Sequence, residues 1–199
     1  MNVQKSLEEI ETEFRTSIEI PKDIPKKQFF FCPVGLVGAG KTTVTKPISE
    51  RLGLVRISSD ELRKILKEND HDYSSLKKIG LTIAREFAEK GFSIALDMDC
   101  GNPEVKKYVE DFAEKLHAKV VWVHINTPEE YIFEKFKNHP PSWLANSPQT
   151  MINNYHAQKE KRIKENTHFD FLYTFDTSKQ NVSEQIGECI EKINDFVIA

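Results

Sequence analysis

The stretch "GLVGAGKTT", Gly35 to Thr43, follows directly on the apolar run "FFFCPV". Its residue types suit one chemistry, the binding of a phosphate tail. Gly35, Gly38 and Gly40 let main-chain amides turn inward, and the intervening Val37 and Ala39 add their own N–H groups to the same cradle. The N-terminus of a following helix adds unpaired N–H groups and the positive end of a dipole. Lys41 has the reach to touch β- and γ-phosphates, and the Thr42 hydroxyl suits a Mg²⁺ shell. Thr43 is a weaker candidate that faces the first helical turn. The spacing Gly35-x-x-x-x-Gly40-Lys41-Thr42 is specific when a strand precedes it and a helix follows.

Two further groups bear on what happens to such a phosphate. In "RISSDELRK", Asp60 and Arg63 stand three apart and share a helix face if a helix starts there. A carboxylate near a terminal phosphate can accept a hydroxyl proton, and a guanidinium can hold a phosphoryl group in flight. The plainer alternative is a helix cap with a surface ion pair. In "ALDMD", Asp97 ends an apolar run and is the preferred Mg²⁺ ligand beside Thr42; Asp99 would face the same side if the strand ran on. The plainer alternative for either is a loop-capping aspartate. Cys100 beside them reads as a packed thiol.

Positioning these groups together requires a particular frame. Short apolar segments, 28–34, 54–58, 92–99, 119–126 and 169–177, alternate with helix-patterned ones, 42–52, 61–68, 74–91, 103–117, 128–138, 149–165 and 182–197. That alternation predicts an α/β fold with a mostly parallel sheet covered on both faces. In a parallel sheet the carboxyl ends of the strands share one edge, which brings 35–43, 58–63 and 97–99 to one crevice. Residues 1–27 read as an amphipathic helix, with Leu7, Ile10, Phe14 and Ile18 at helical spacing, plus a Pro- and Lys-rich linker. They form an arm outside a domain at 28–199.

With 199 residues, 39% hydrophobic and 30% charged, the chain suits one domain with a proper core. A net charge of −3 is not that of a nucleic-acid coat, so long nucleic acid is not the favoured partner. Three scattered cysteines read as free thiols of a reducing compartment, and no apolar run has signal-peptide or membrane-helix length, so a cytoplasmic location is expected. His71, His117, His124, His156 and His168 lack metal-ligand spacing. Nothing in the pattern sets the oligomeric state.

From Phe29 to Asp176 the segments "GLVGAGKTT", "SSDELRK", "GFSIALDMD" and "VVWVHINTPEEYIFEKFKN" resemble the small P-loop kinases grouped with polynucleotide 5′-hydroxyl kinases, gluconate kinase and zeta-toxin-like phosphotransferases. The resemblance implies a three-layer fold with strand order 2-3-1-4-5, Mg-ATP as phosphoryl donor, and a hydroxyl or phosphate acceptor of unidentified structure. It implies Asp60 as general base, Arg63 on the transferred or acceptor phosphate, and Asp97 at the metal or acceptor. A lid at about 136–165 would bring cations to the nucleotide. Where polynucleotide kinases carry lid arginines, this chain offers Lys135 and His139, with Lys159, Lys161 and Arg162 as substitutes on the next helix. Trp143 in "NHPPSWLANSPQ" would anchor a cap over the crevice, and the backbone at Thr177 and Ser178 would hold adenine. The competing expectation is a nucleotide switch or regulatory ATPase that acts on a protein partner, motivated by the arm and the missing lid arginines.

Overall fold

In the computed structural model, which describes residues 4–138 and 147–198, five strands form one sheet. The strands are β1 (Phe29–Val34), β2 (Val55–Ser58), β3 (Ile94–Asp97), β4 (Lys119–Ile125) and β5 (Tyr173–Phe175). Their order is β2-β3-β1-β4-β5, and every pairing is parallel. The helices are α1 (Leu7–Ser17), α2 (Lys41–Leu52), α3 (Ser59–Glu68), α4 (Leu76–Glu89), α5 (Pro103–Lys115), α6 (Glu129–Asn138), α7 (Pro148–Glu165) and α8 (Val182–Ile198).

Strand β1 is apolar on both faces because both faces are covered. Phe30 and Cys32 join one core cluster with residues of α1, α3, α4 and α5; Phe29 and Phe31 join the other with residues of α2, α6 and α8. Helix α4 carries the expected stripe, with Ile79, Ile83 and Phe87 buried. Helix α5 starts where Asn102 accepts the N–H groups of Glu104 and Val105 and Pro103 takes the first turn. At α1, Ser6 and Glu9 form a reciprocal capping box. Ile10 and Phe14 of that helix are fully buried against the main core, and Arg15 donates to Glu86 of α4 at 2.8 Å. Burying those two side chains is worth roughly 2 kcal/mol each.

Two segments depart from the sequence reading. Residues 169–172, patterned as part of β5, lie ahead of the strand, with the Leu172 N–H alone donating to β4, to the Trp122 carbonyl at 2.9 Å. Ladder pairing starts at Tyr173 opposite Val123, while the Phe169 ring meets Trp122 at 5.0 Å and the Phe171 ring stacks on His124 at 4.8 Å. Their alternating aromatics cover the face of β4 instead of extending its edge. Strand β3 stops at Asp97, where Met98 and Cys100 turn back onto the carbonyls of Leu96 and Met98. Asp99 is therefore out of strand register. Trp143 and His139 lie outside the described residues.

Candidate active site

The register places the chemistry at one edge. Val34 pairs with His124 and Ser58 with Asp97, so β1, β2, β3 and β4 end together, and the 35–40 loop passes over that edge into α2. The loop conformation demands its glycines. Gly38 has φ +79° and Gly40 φ +95°, a region that side chains rarely adopt. A Cβ on Gly38 would sit 2.4 Å from the Phe136 ring, and one on Gly40 would sit 2.7 Å from Thr177 Oγ1.

The loop is braced from behind. The buried hydroxyls of Thr127 and Thr177 both donate to the Ala39 carbonyl, at 2.8 and 2.7 Å, and lie 2.9 Å from each other. Thr177 thus acts on the loop through its side chain. Ser178 lies in a turn where its N–H and Oγ bond to Asp176. On the α6 side, Phe136 packs at Gly38 and the Lys135 ammonium donates to the Gly38 carbonyl at 3.3 Å. Burial holds Lys135 below the ordinary lysine pKa.

Inside the loop, the Lys41 ammonium donates to the carbonyls of Gly35 and Leu36 at 3.0 and 3.1 Å. Desolvation lowers its pKa, opposed by the nearby carboxylates of Asp99, Asp60 and Asp97. Among the described residues no protein acceptor takes the N–H groups of Gly38, Gly40, Lys41, Thr42 or Thr43. Val37 and Ala39 differ: the Val37 N–H donates to Gln158 Oε1 of α7 at 2.6 Å, and the Ala39 N–H, expected in the cradle, closes a turn onto the Leu36 carbonyl at 3.1 Å. Inward donors, a positive helix end and an ammonium fit a polyphosphate.

Thr42 and Asp97 meet as expected, with Thr42 Oγ1 donating to Asp97 Oδ1 at 3.0 Å. Thr43 is exposed on the first turn of α2. Asp97, whose side chain is only 3% exposed, has its pKa raised by burial, against the pull of Arg56. Arg56 donates to Asp97 Oδ2 at 2.7 Å and also pairs with Glu61. No sequence reading singled out Arg56; its place on β2, one strand from Asp97, was the available signal. Thr42 and Asp97 fit Mg²⁺ as hard oxygen donors. Among the described residues no cluster of three or more His, Cys, Asp or Glu forms a cage.

Opposite the loop, Ser58 caps α3 and sets Asp60 on its first turn with Arg63 three residues on, where the guanidinium donates to the carboxylate. The Arg63 guanidinium also lies over the Tyr73 ring, 5.5 Å from its centre. From α7, Arg162 pairs with Asp99, whose other oxygen accepts Gln158 Nε2 at 2.9 Å. Lys159 and Lys161 instead pair with Glu129 at 2.6 Å and Glu165 at 3.6 Å. Gln158 went unnoticed because an amide in a polar helix carries no pattern of its own.

Strand, glycine loop, helix N-terminus and a strand-end aspartate bonded to a first-turn threonine define a P-loop domain of the small-kinase fold. The chain belongs to the AAA domain family, whose model matches residues 31–142. Solved structures share the fold at low identity. The APS kinase of Mycobacterium tuberculosis, determined with AMPPNP and APS, is 16% identical with a TM-score of 0.55, over 85% of this chain and 99% of that one. The shikimate kinase of Aquifex aeolicus is 15% identical with a TM-score of 0.52, over 86% and 99%. A structure of the PezAT toxin–antitoxin system of Streptococcus pneumoniae is 14% identical with a TM-score of 0.57, over the whole of both chains. No curated protein matches the sequence. Among the described residues no helix is long and apolar enough to cross a membrane.

Proposed function

We propose that the chain is a P-loop kinase that moves the γ-phosphoryl of Mg-ATP to a hydroxyl or phosphate acceptor, with Asp60 as general base. The observation that carries this is the place of Asp60 at the head of α3, two residues past the end of β2, whose last residue Ser58 pairs with Asp97, the aspartate bonded to Thr42 of the phosphate loop.

In this reading Lys41 and the unpartnered amides of Gly38, Gly40, Lys41, Thr42 and Thr43 hold the phosphate tail and neutralise charge that spreads over the phosphoryl oxygens. Thr42 and Asp97 would hold Mg²⁺, which would supply positive charge to the phosphate tail. Arg56 keeps the Asp97 carboxylate ionised and aimed at Thr42. Lys135 stands beside Gly38 as a further cation. Asp60 takes the proton of an acceptor hydroxyl as the new O–P bond forms and the bond to the ADP oxygen breaks. Arg63, already on Asp60, orients that carboxylate and meets the acceptor or the phosphoryl group. The APS, shikimate and gluconate kinase neighbours support the reading through their shared fold alone.

The switch reading drew on the N-terminal arm as a partner-binding element. Because Ile10 and Phe14 are spent on the core, that motive weakens. Asp60→Asn tests the proposal. Phosphoryl transfer falls at least about 100-fold while the ATP dissociation constant moves less than threefold. Full turnover in that variant removes Asp60 as base. ADP release that ignores a panel of hydroxyl acceptors favours the switch.

A further inference from the structure

Helix α7 reaches the phosphate loop through two side chains one turn apart, Gln158 and Arg162, which share a helix face. Gln158 Oε1 accepts the Val37 N–H at 2.6 Å, and its Nε2 donates to Asp99 Oδ2 at 2.9 Å. Arg162 donates to Asp99 Oδ1, to the Gly101 carbonyl and to Glu165. The Asp99 carboxylate therefore offers each oxygen to a different donor of α7. The seat is built to size. A Cβ on Gly101 would lie 2.9–3.1 Å from three atoms of the Arg162 guanidinium, so any larger residue there would push the guanidinium off this seat.

Two carboxylate oxygens that accept from a guanidinium and an amide N–H reproduce the contacts a phosphate would make with the same pair. We propose that Asp99 is an internal counter-ion that parks Gln158 and Arg162, and that a nucleotide phosphate takes their place on it by competition. Asp99 is a positioning residue here. It acts through Arg162 and sets how much of the nucleotide's binding energy is spent on releasing α7. The inference rests on the nucleotide site proposed above and adds the residue that opposes its filling.

The test is a cycle of four proteins: the parent chain, Asp99→Asn, Arg162→Gln and the double variant. Calorimetry with Mg-ATP reads affinity, and hydrogen exchange of the nucleotide-free proteins reads the docking of α7. Asp99→Asn is expected to tighten ATP about three- to tenfold, the range of a partly exposed ion pair. In the Arg162→Gln background the same change has no such effect. Exchange in α7 quickens in Asp99→Asn before any ATP is added. Equal tightening in both backgrounds overturns the proposal, since it means only that a negative charge near a polyanion was removed. Unchanged or weaker ATP binding in Asp99→Asn also overturns it. If the parent chain takes up no ATP, the nucleotide site itself fails and this competition with it. A parent that binds, with a flat cycle, removes only the role of Asp99.

Discussion

The bracing of the phosphate loop yields a prediction whose size follows from hydrogen-bond arithmetic. The Ala39 carbonyl is buried in a residue 2% exposed and accepts from both Thr127 and Thr177. Replacing either threonine by valine keeps the shape and removes one hydroxyl. The carbonyl still has its other partner, so Thr177→Val costs about 1 kcal/mol; Thr127→Val costs about 2 kcal/mol, because the Thr177 N–H also donates to that hydroxyl at 3.3 Å. Removing both leaves a buried carbonyl with no partner, which adds a desolvation penalty of about 1–3 kcal/mol beyond the sum. The double variant should lose about 5 kcal/mol, with a coupling of about 2 kcal/mol. For a domain of this length each kcal/mol moves Tm by roughly 2–4 °C. Thr177→Val should therefore melt about 3 °C low, Thr127→Val about 6 °C low and the double about 15 °C low. Urea unfolding of the four proteins gives the cycle, and ATP titration well below the transition reads whether the loop has lost its pose. Additivity within about 0.4 kcal/mol would refute the reasoning, because it would mean the carbonyl finds water when both hydroxyls are gone.

Other outcomes follow from the same geometry. Gly40→Ala forces a Cβ into a positive-φ position 2.7 Å from Thr177 Oγ1 and should cost about 1–3 kcal/mol in urea unfolding; an unchanged midpoint would disprove that conformation. Arg56→Gln removes the cation that opposes burial of Asp97, so the Asp97 pKa rises further. The variant is destabilised by about 2–3 kcal/mol at neutral pH and by less at an acid pH, as the pH falls through the raised pKa and Asp97 takes up its proton. Equal losses at the two pH values would contradict this. Glu86 titrates below its ordinary value because Arg15 hydrogen-bonds it, so its stabilising contribution is present above pH 4.5 and fades as pH falls through the lowered pKa. Arg15→Met should flatten that acid limb of the stability curve, measured by urea midpoints from pH 2.5 to 7.

Much of this molecule follows from local pattern, and the exceptions share a cause. The glycine loop, its flanking strand and helix, and the Asp60–Arg63 and Thr42–Asp97 pairs were readable because spacing within one element, or the shared edge of a parallel sheet, brings them together. Arg56, Gln158 and the hydroxyls of Thr127 and Thr177 were not, because each acts on a segment 41 to 138 residues away and none sits in a motif. Thr177 was noticed, but for its backbone; its side chain gained meaning only once β5 lay beside β4. Residues 169–172 misled for the opposite reason. Alternating aromatics read as a strand whether they line a ladder or lie across its face.

The reach of Thr177 to Ala39, across 138 positions of chain, also bears on the order of events during synthesis. A growing polypeptide that has emerged only as far as α6 already owns every residue of the glycine loop, yet lacks one of the two hydroxyls that hold it in shape. Under the proposed function, firm nucleotide capture should then arrive late, once the ribosome has released the segment beyond β5. Unfinished chains would not sequester ATP, and its uptake would mark a chain that is both translated and folded.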